Sequence, residues 1–136
     1  MKVRVFEALC AAQRKLSGRL ELEIQRQLGL SLSELQLLDL LSGFAQGRRM
    51  NDLAEATGMS PSGLSRLVDR LVAYGLITRF TCPSDHRGFY AVITGLGEAK
   101  VRVAGEIRSL TLDAMLDEDN WAALDQAVSA LEAIIN

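Results

Sequence analysis

Ser60, Ser62, Gly63, Ser65, Arg66 and Arg70 crowd one short stretch of the chain. Their chemistry is that of contact rather than of bond-breaking. Hydroxyls donate and accept hydrogen bonds, and glycine leaves room for close approach. An arginine guanidinium is a planar fork of N–H donors that suits phosphate oxygens and the O6/N7 edge of guanine. A second group, Asp85, His86 and Arg87, precedes Gly88. An arginine on a hairpin tip can enter a narrow minor groove, where negative potential concentrates. By residue type both groups suit the reading of DNA. In that reading Asp69 orients Arg66 and does not touch phosphate. The plainer reading makes Arg66 with Asp69, and Arg87 with Asp85, solvated surface pairs of small energetic weight.

Bond-breaking chemistry has little to build on. His86 is the only histidine and falls in a turn-prone segment, so no Ser-His-Asp or Cys-His arrangement can be assembled. There is no Gly-rich phosphate loop. Cys10, Cys82 and His86 have no paired metal-ligand spacing. The expectation is a non-enzyme with no metal and no cofactor.

The elements that must position these residues can be read from spacing. Met50, Leu53, Ala54 and Thr57 stand at i, i+3, i+4 and i+7, one face of a short helix. Gly58 fits the left-handed residue that ends it. Ser60 followed by Pro61 is an N-cap and a first-turn proline, so a second helix begins there. Leu64, Leu67, Val68 and Leu71 repeat the apolar spacing, and Gly75 closes the helix. Two helices about a glycine turn form a helix-turn-helix, whose second helix leads into the major groove with its N-terminal residues. Ile77–Cys82 and Phe89–Thr94 are β-like segments. The residues between them, 83–88, are expected to form the tip of a β-wing.

These residues carry a family resemblance. SPSGLSRLVDRLVAYGLITR, residues 60–79, resembles the recognition helix and first wing strand of the MarR family of winged-helix regulators. DHRGFYAVITGLG, residues 85–97, resembles its wing signature, with Asp85, Arg87, Thr94 and Gly97 at matching positions. His86 stands where a second arginine is common, and Ile93 where leucine is common. The resemblance implies a homodimer joined through terminal helices and a small-molecule effector, in many members an aromatic acid. Some members sense peroxide through a first-helix cysteine supported by tyrosines. Here Cys10 has only Tyr74 and Tyr90, both distant in sequence. The spacing makes Cys10 an inert neighbour of an apolar stripe, and redox sensing at Cys10 or Cys82 stays an open alternative.

The rest of the chain reads as helices seeking partners. Phe6, Leu9, Leu16, Leu20, Ile24 and Leu28 stripe a long first helix that Gly29 ends. Leu35, Leu38 and Leu41, with Leu37 and Leu40, mark a buried second helix. Thr94 caps a helix whose stripe is Val101, Ala104, Ile107, Leu110 and Ala114. Asp117 caps a last helix with the narrow seam Trp121, Leu124, Val128, Leu131 and Ile135. A chain of 136 residues, 49% of them hydrophobic, suits one domain with a real core. Glu7 breaks the only leader-like start and no run could span a bilayer, so the expected setting is the cytoplasm, away from membranes.

The net charge of −2 does not advertise nucleic acid. Its distribution is more telling: residues 46–90 hold six arginines against four acids, and residues 91–136 hold three basic residues against eight acids.

The expectation is a mainly α fold with a small β-wing, one domain over 1–136. Residues 30–94 form the winged helix-turn-helix, and 1–29 and 95–136 form N- and C-terminal dimerisation helices. Its function is that of a sequence-specific repressor on a pseudo-palindromic operator in double-stranded DNA, released by a small molecule. The alternatives are a winged-helix protein-interaction module and a thiol-based sensor of the same fold.

Overall fold

The computed structural model describes residues 1–82 and 84–136; of Cys82, Asp85, His86 and Arg87 it describes the backbone alone. Six helices and three short strands follow one another as α1 (Lys2–Leu28), α2 (Leu32–Leu41), β1 (Arg48–Arg49), α3 (Met50–Thr57), α4 (Pro61–Ala73), β2 (Ile77–Cys82), β3 (Asp85–Ile93), α5 (Gly95–Met115) and α6 (Glu118–Ile135).

The helix ends are set by local chemistry. Gly29 and Gly58, each at φ 69°, end α1 and α3 in the left-handed conformation that only glycine adopts freely. Ser31 and Glu34 form a reciprocal capping box at the start of α2, each side chain satisfying the other's backbone N–H. Ser60, Thr94 and Asp117 each accept a hydrogen bond from the backbone N–H three residues on, capping α4, α5 and α6.

The core forms where these helices meet the sheet. Leu35, Leu37, Leu38 and Leu41 of α2 are buried against Leu53 of α3 and against Leu64, Leu67, Val68 and Leu71 of α4. Ile24 from α1, Leu76, Ile77 and Ala91 from the sheet, and Ala104 and Ile107 from α5 complete it. Each such leucine contributes about 1.5–3 kcal/mol by leaving water. The strands are antiparallel in the order β1-β3-β2, with Arg49 opposite Tyr90 and Phe80 opposite the same Tyr90.

Two expectations are corrected here. The wing tip is shorter than residues 83–88: the backbone of Asp85, His86, Arg87 and Gly88 belongs to β3. The pairing shifts register between Thr81, opposite Phe89, and Cys82, opposite Asp85, so the extra residues of β3 bulge without ending the strand. Pro83 lies outside the described residues. On α5 the buried face passes through Ala104, Ile107 and Thr111, while Leu110 is 71% exposed. Repeated steps of three fall short of a 3.6-residue turn, so the stripe winds off the packed face.

The terminal helices keep most of their apolar surface in solvent. α6 has no buried residue, and Val128, Leu131, Ile134 and Ile135 are exposed. Ile24 is the one buried residue of α1, while Val3, Val5, Phe6 and Leu9 are exposed. Among the described residues no helix is long and apolar enough to cross a membrane.

Candidate nucleic-acid interface

α4 divides into a buried face and a solvent face. Ser60, Ser62, Arg66, Asp69 and Arg70 are exposed, and Gly63 and Ser65 are half-buried. The sequence group thus shares one end and one side of a single helix. The helix is held to the core by four aliphatic side chains, Leu64, Leu67, Val68 and Leu71. The Ser60 hydroxyl accepts from the Gly63 N–H at 3.2 Å and lies 3.5 Å from the Ser62 hydroxyl. A Cβ on Gly63 would stand 3.0 Å from Ser60 Oγ. The glycine therefore keeps the cap intact as well as leaving the helix tip open.

The turn into α4 is also satisfied internally. Thr57 Oγ1 donates to the Leu53 carbonyl at 2.8 Å and accepts from the Met59 N–H at 3.2 Å. With these groups paired, the outward hydroxyls and guanidinia of α4 are the polar groups left to meet a ligand.

Asp69 does not orient Arg66. It forms an ion pair with Arg79 of β2, whose guanidinium lies 5.0 Å from the centre of the Phe89 ring. The reason is geometric. Arg79 is three-quarters buried and held over an aromatic face, so it arrives preorganised, whereas Arg66 is a free-standing chain on the solvent side. The consequence is a tie between α4 and the β2–β3 hairpin.

The wing carries further cationic contacts that sequence reasoning missed. Arg49 lies 5.9 Å from the centre of the Tyr90 ring, which stacks on Phe80 at 5.2 Å. Arg48 lies 4.9 Å from the Phe44 ring and donates to the Leu40 carbonyl at 3.2 Å. The Arg48-Arg49 pair was readable as local positive charge, but a strand of two residues has no periodicity to reveal it. The side chains of Asp85, His86 and Arg87 lie outside the description, so these three are placed only by their backbone on β3.

Two ties hold the start of α5 to the segments that follow α4 and α2. The Thr94 N–H donates to the Leu76 carbonyl at 3.0 Å and the Thr94 hydroxyl to the Gly75 carbonyl at 2.7 Å. Glu98 accepts from the Ser42 hydroxyl at 2.7 Å and the Gly43 N–H at 3.2 Å. These two bonds, with the Arg102 charge, hold its carboxyl below the ordinary glutamate range against a smaller desolvation effect. Asp39 of α2 and Arg108 of α5 add an ion pair at 2.8 Å.

Cys10 is half-buried on α1 with a free thiol, and the Cys82 side chain lies outside the description. Among the described residues no group of three His, Cys, Asp or Glu side chains converges as metal ligands would.

Comparison with known proteins agrees with this geometry. A sequence profile of the MarR family matches residues 28–88. The chain is similar to the solved structure of AbsC, a MarR family transcriptional regulator from Streptomyces coelicolor. The two are 27% identical with a TM-score of 0.77, over 96% of this chain and 91% of that one. A mutant MarR from E. coli complexed with operator DNA has a TM-score of 0.75 at 20% identity, over 95% of this chain and 94% of that one. CouR from Rhodococcus jostii RHA1, bound to p-coumaroyl-CoA, has a TM-score of 0.79 at 20% identity, over 96% and 90%. At such identities the last two speak to the fold alone.

Proposed function

The chain belongs to the MarR family of winged-helix transcriptional regulators, and from that premise we propose that it is a homodimeric repressor of its target genes. In this reading residues 30–94 read the DNA and residues 1–29 and 95–136 pair two subunits. Each α4 occupies a major groove and each β2–β3 wing an adjacent minor groove. The observation that carries the reading is the two-sided character of α4. Its apolar side is anchored in the core, and its N-terminal solvent side offers Ser62, Ser65, Arg66 and Arg70.

The roles divide by position. Ser60 and Gly63 shape the helix tip, while Arg66 is placed to read a base edge. Arg70 and the helix N-terminus meet phosphate. Asp85, His86 and Arg87 serve the wing, with Arg87 responding to groove potential. Family members are in general non-enzymatic transcription factors, and we extend that to this chain. A DNA reader works where the DNA is, which agrees with the cytoplasmic setting expected from sequence. A small-molecule effector belongs to this reading because the family resemblance implies one.

The test is titration of Arg66→Ala and Arg87→Ala against cognate and scrambled duplexes at several salt concentrations. Loss of a bidentate guanine contact costs ~1–3 kcal/mol of discrimination, so Arg66→Ala should weaken the cognate site more than random DNA. Arg87→Ala should weaken both and lower the salt dependence by about one unit of slope per subunit. Unchanged affinity in both variants, with the fold intact, would reject the DNA-reader assignment in favour of a protein-binding module.

A further inference from the structure

We propose that Ser62, in the first turn of α4, is a site of reversible phosphorylation, and that the phosphate it carries captures Arg66. The Ser62 side chain is exposed, and its only hydrogen-bonding neighbour among the described residues is the Ser60 hydroxyl, at 3.5 Å. Arg66, four residues on, is exposed too, and its guanidinium has no ion pair or hydrogen bond among the described residues. Side chains four apart on a helix are neighbours, with Cβ atoms about 5–6 Å apart, and the favourable order puts the anion N-terminal to the cation. Ser62 and Arg66 stand in that order.

The other hydroxyls at this end of the helix lack the combination. Ser60 Oγ accepts from the Gly63 N–H, and the residue four on is the buried Leu64. Ser65 is half-buried, and at the same spacing it meets Asp69, an acid already paired with Arg79. Thr57 Oγ1 donates to the Leu53 carbonyl inside the turn. Of these hydroxyls, only Ser62 stands one turn before an unengaged guanidinium. The reaction is phosphoryl transfer from a nucleoside triphosphate, carried out by a separate serine kinase. The bond between the γ-phosphorus and the oxygen of the departing nucleoside diphosphate breaks, an Oγ–P bond forms, and the hydroxyl proton passes to the kinase. Hydrolysis by a phosphatase restores the serine and releases inorganic phosphate.

The consequence rests on the DNA-binding reading above, although the modification itself does not. The planar fork of Arg66 suits phosphate oxygens as well as a guanine edge. A phosphoserine carries about −1.5 to −2 charge at pH 7 and three strong acceptor oxygens. It therefore offers the guanidinium, within the helix, the kind of partner that DNA offers outside it. The modified helix loses its base reader and gains negative charge on the side that faces the DNA backbone. Both residues lie in solvent, and the anchoring side chains Leu64, Leu67, Val68 and Leu71 are on the other side of the helix, so the fold survives the switch.

The first experiment maps the chain recovered from growing and from stationary cells by peptide mass spectrometry. A phosphoryl group is expected on Ser62 in at least one state, and its absence from Ser62 in both overturns the site. The second uses the full chain made with phosphoserine at position 62 or, as a control of equal charge, at position 65. Phosphorus NMR titration without DNA reads the second ionisation of each phosphate. Arg66→Gln should raise it at position 62, where a cation is lost, and by less at position 65. A position-62 phosphate that does not respond, or two phosphates that respond alike, overturns the capture. With operator DNA, phosphoserine at position 62 should weaken the complex at least about tenfold, within the range of a lost guanine contact. The further loss it causes in an Arg66→Gln chain should be smaller, because the two changes remove one contact. Unchanged affinity, or losses that multiply in full, overturns the regulatory consequence. An unmodified chain that binds no operator overturns the DNA-reader assignment instead, and the mass and NMR readouts decide the modification without it.

Discussion

Asp69 on α4 is ion-paired with Arg79 on β2, and the same guanidinium rests on the ring of Phe89 on β3. Three side chains from three elements thus tie α4 to the β2–β3 hairpin, the two parts proposed above to meet the major and the minor groove.

Breaking that link should affect DNA binding more than folding. Asp69 is 60% exposed, so loss of the pair costs at most about 1 kcal/mol of stability. Asp69→Asn and Arg79→Ala should leave the thermal midpoint within a few degrees while weakening the cognate duplex. The double variant should lose no more affinity than the worse single one. Strictly additive losses in that cycle would show that the two residues act apart.

Ser60 should matter twice. Its hydroxyl caps α4 through the Gly63 N–H, so Ser60→Ala should cost ~1 kcal/mol and Ser60→Gly only a few tenths. Gly63→Ala presses a methyl toward the same hydroxyl, and it should weaken DNA binding even where stability is retained. Urea midpoints and duplex titrations on the three variants separate the effects; a Ser60→Ala protein indistinguishable from the parent in both would refute the assignment.

Glu98 gives the fold an acid-sensitive tie. Its carboxyl is held below the ordinary range first by the Ser42 hydroxyl, then by the Gly43 N–H and Arg102. A depressed folded value contributes stability above the unfolded glutamate value, and that contribution disappears as pH falls through the depressed one. Wild type should therefore exceed Glu98→Gln in urea midpoint at about pH 7, and the gap should close toward about pH 3. A gap that stays constant over that range would remove the carboxylate from the account.

The seam of α6 should govern assembly. Leu131 is 38% exposed and Val128 44% exposed in the single chain, so both are available to a second subunit. Leu131→Glu should convert a dimer into monomer in sedimentation equilibrium and reduce operator affinity. The operator itself should be a near-palindrome with half-sites about one helical turn, ~10 bp, apart. An unchanged dimer of unchanged stability would mean that α6 pairs through another face.

Much of this architecture was legible because it is local. Ser60 with Pro61 announced α4, and Gly58, Gly75 and Gly29 marked ends that do adopt positive φ. The i, i+3, i+4, i+7 pattern of Leu64, Leu67, Val68 and Leu71 named the buried face of α4. What escaped depends on partners remote in sequence. β1 exists only because Arg48 and Arg49 lie beside Ala91 and Tyr90. Asp69 chose Arg79 over the nearer Arg66, since packing on Phe89 decides which guanidinium is presented. The extension of β3 to Asp85 turns on a register shift that alternation cannot foresee. Of the candidate site, the α4 residues were read as a set and stand together, but the cationic contacts of the wing with Phe44, Phe89 and Tyr90 had no signal in spacing.

α6 is an 18-residue helix with four acidic residues, no basic ones and nothing buried. Most of the stability of a helix in a protein comes from packing of its apolar face, and α6 buries none in the single chain. If the seam finds its cover in a second subunit, order in α6 becomes a function of how many copies a cell holds. A chain newly made and still alone would present this segment frayed, open to proteases that the assembled form resists. Surplus subunits would then be cleared faster than paired ones, so the abundance of the regulator would be buffered by its own C-terminal helix.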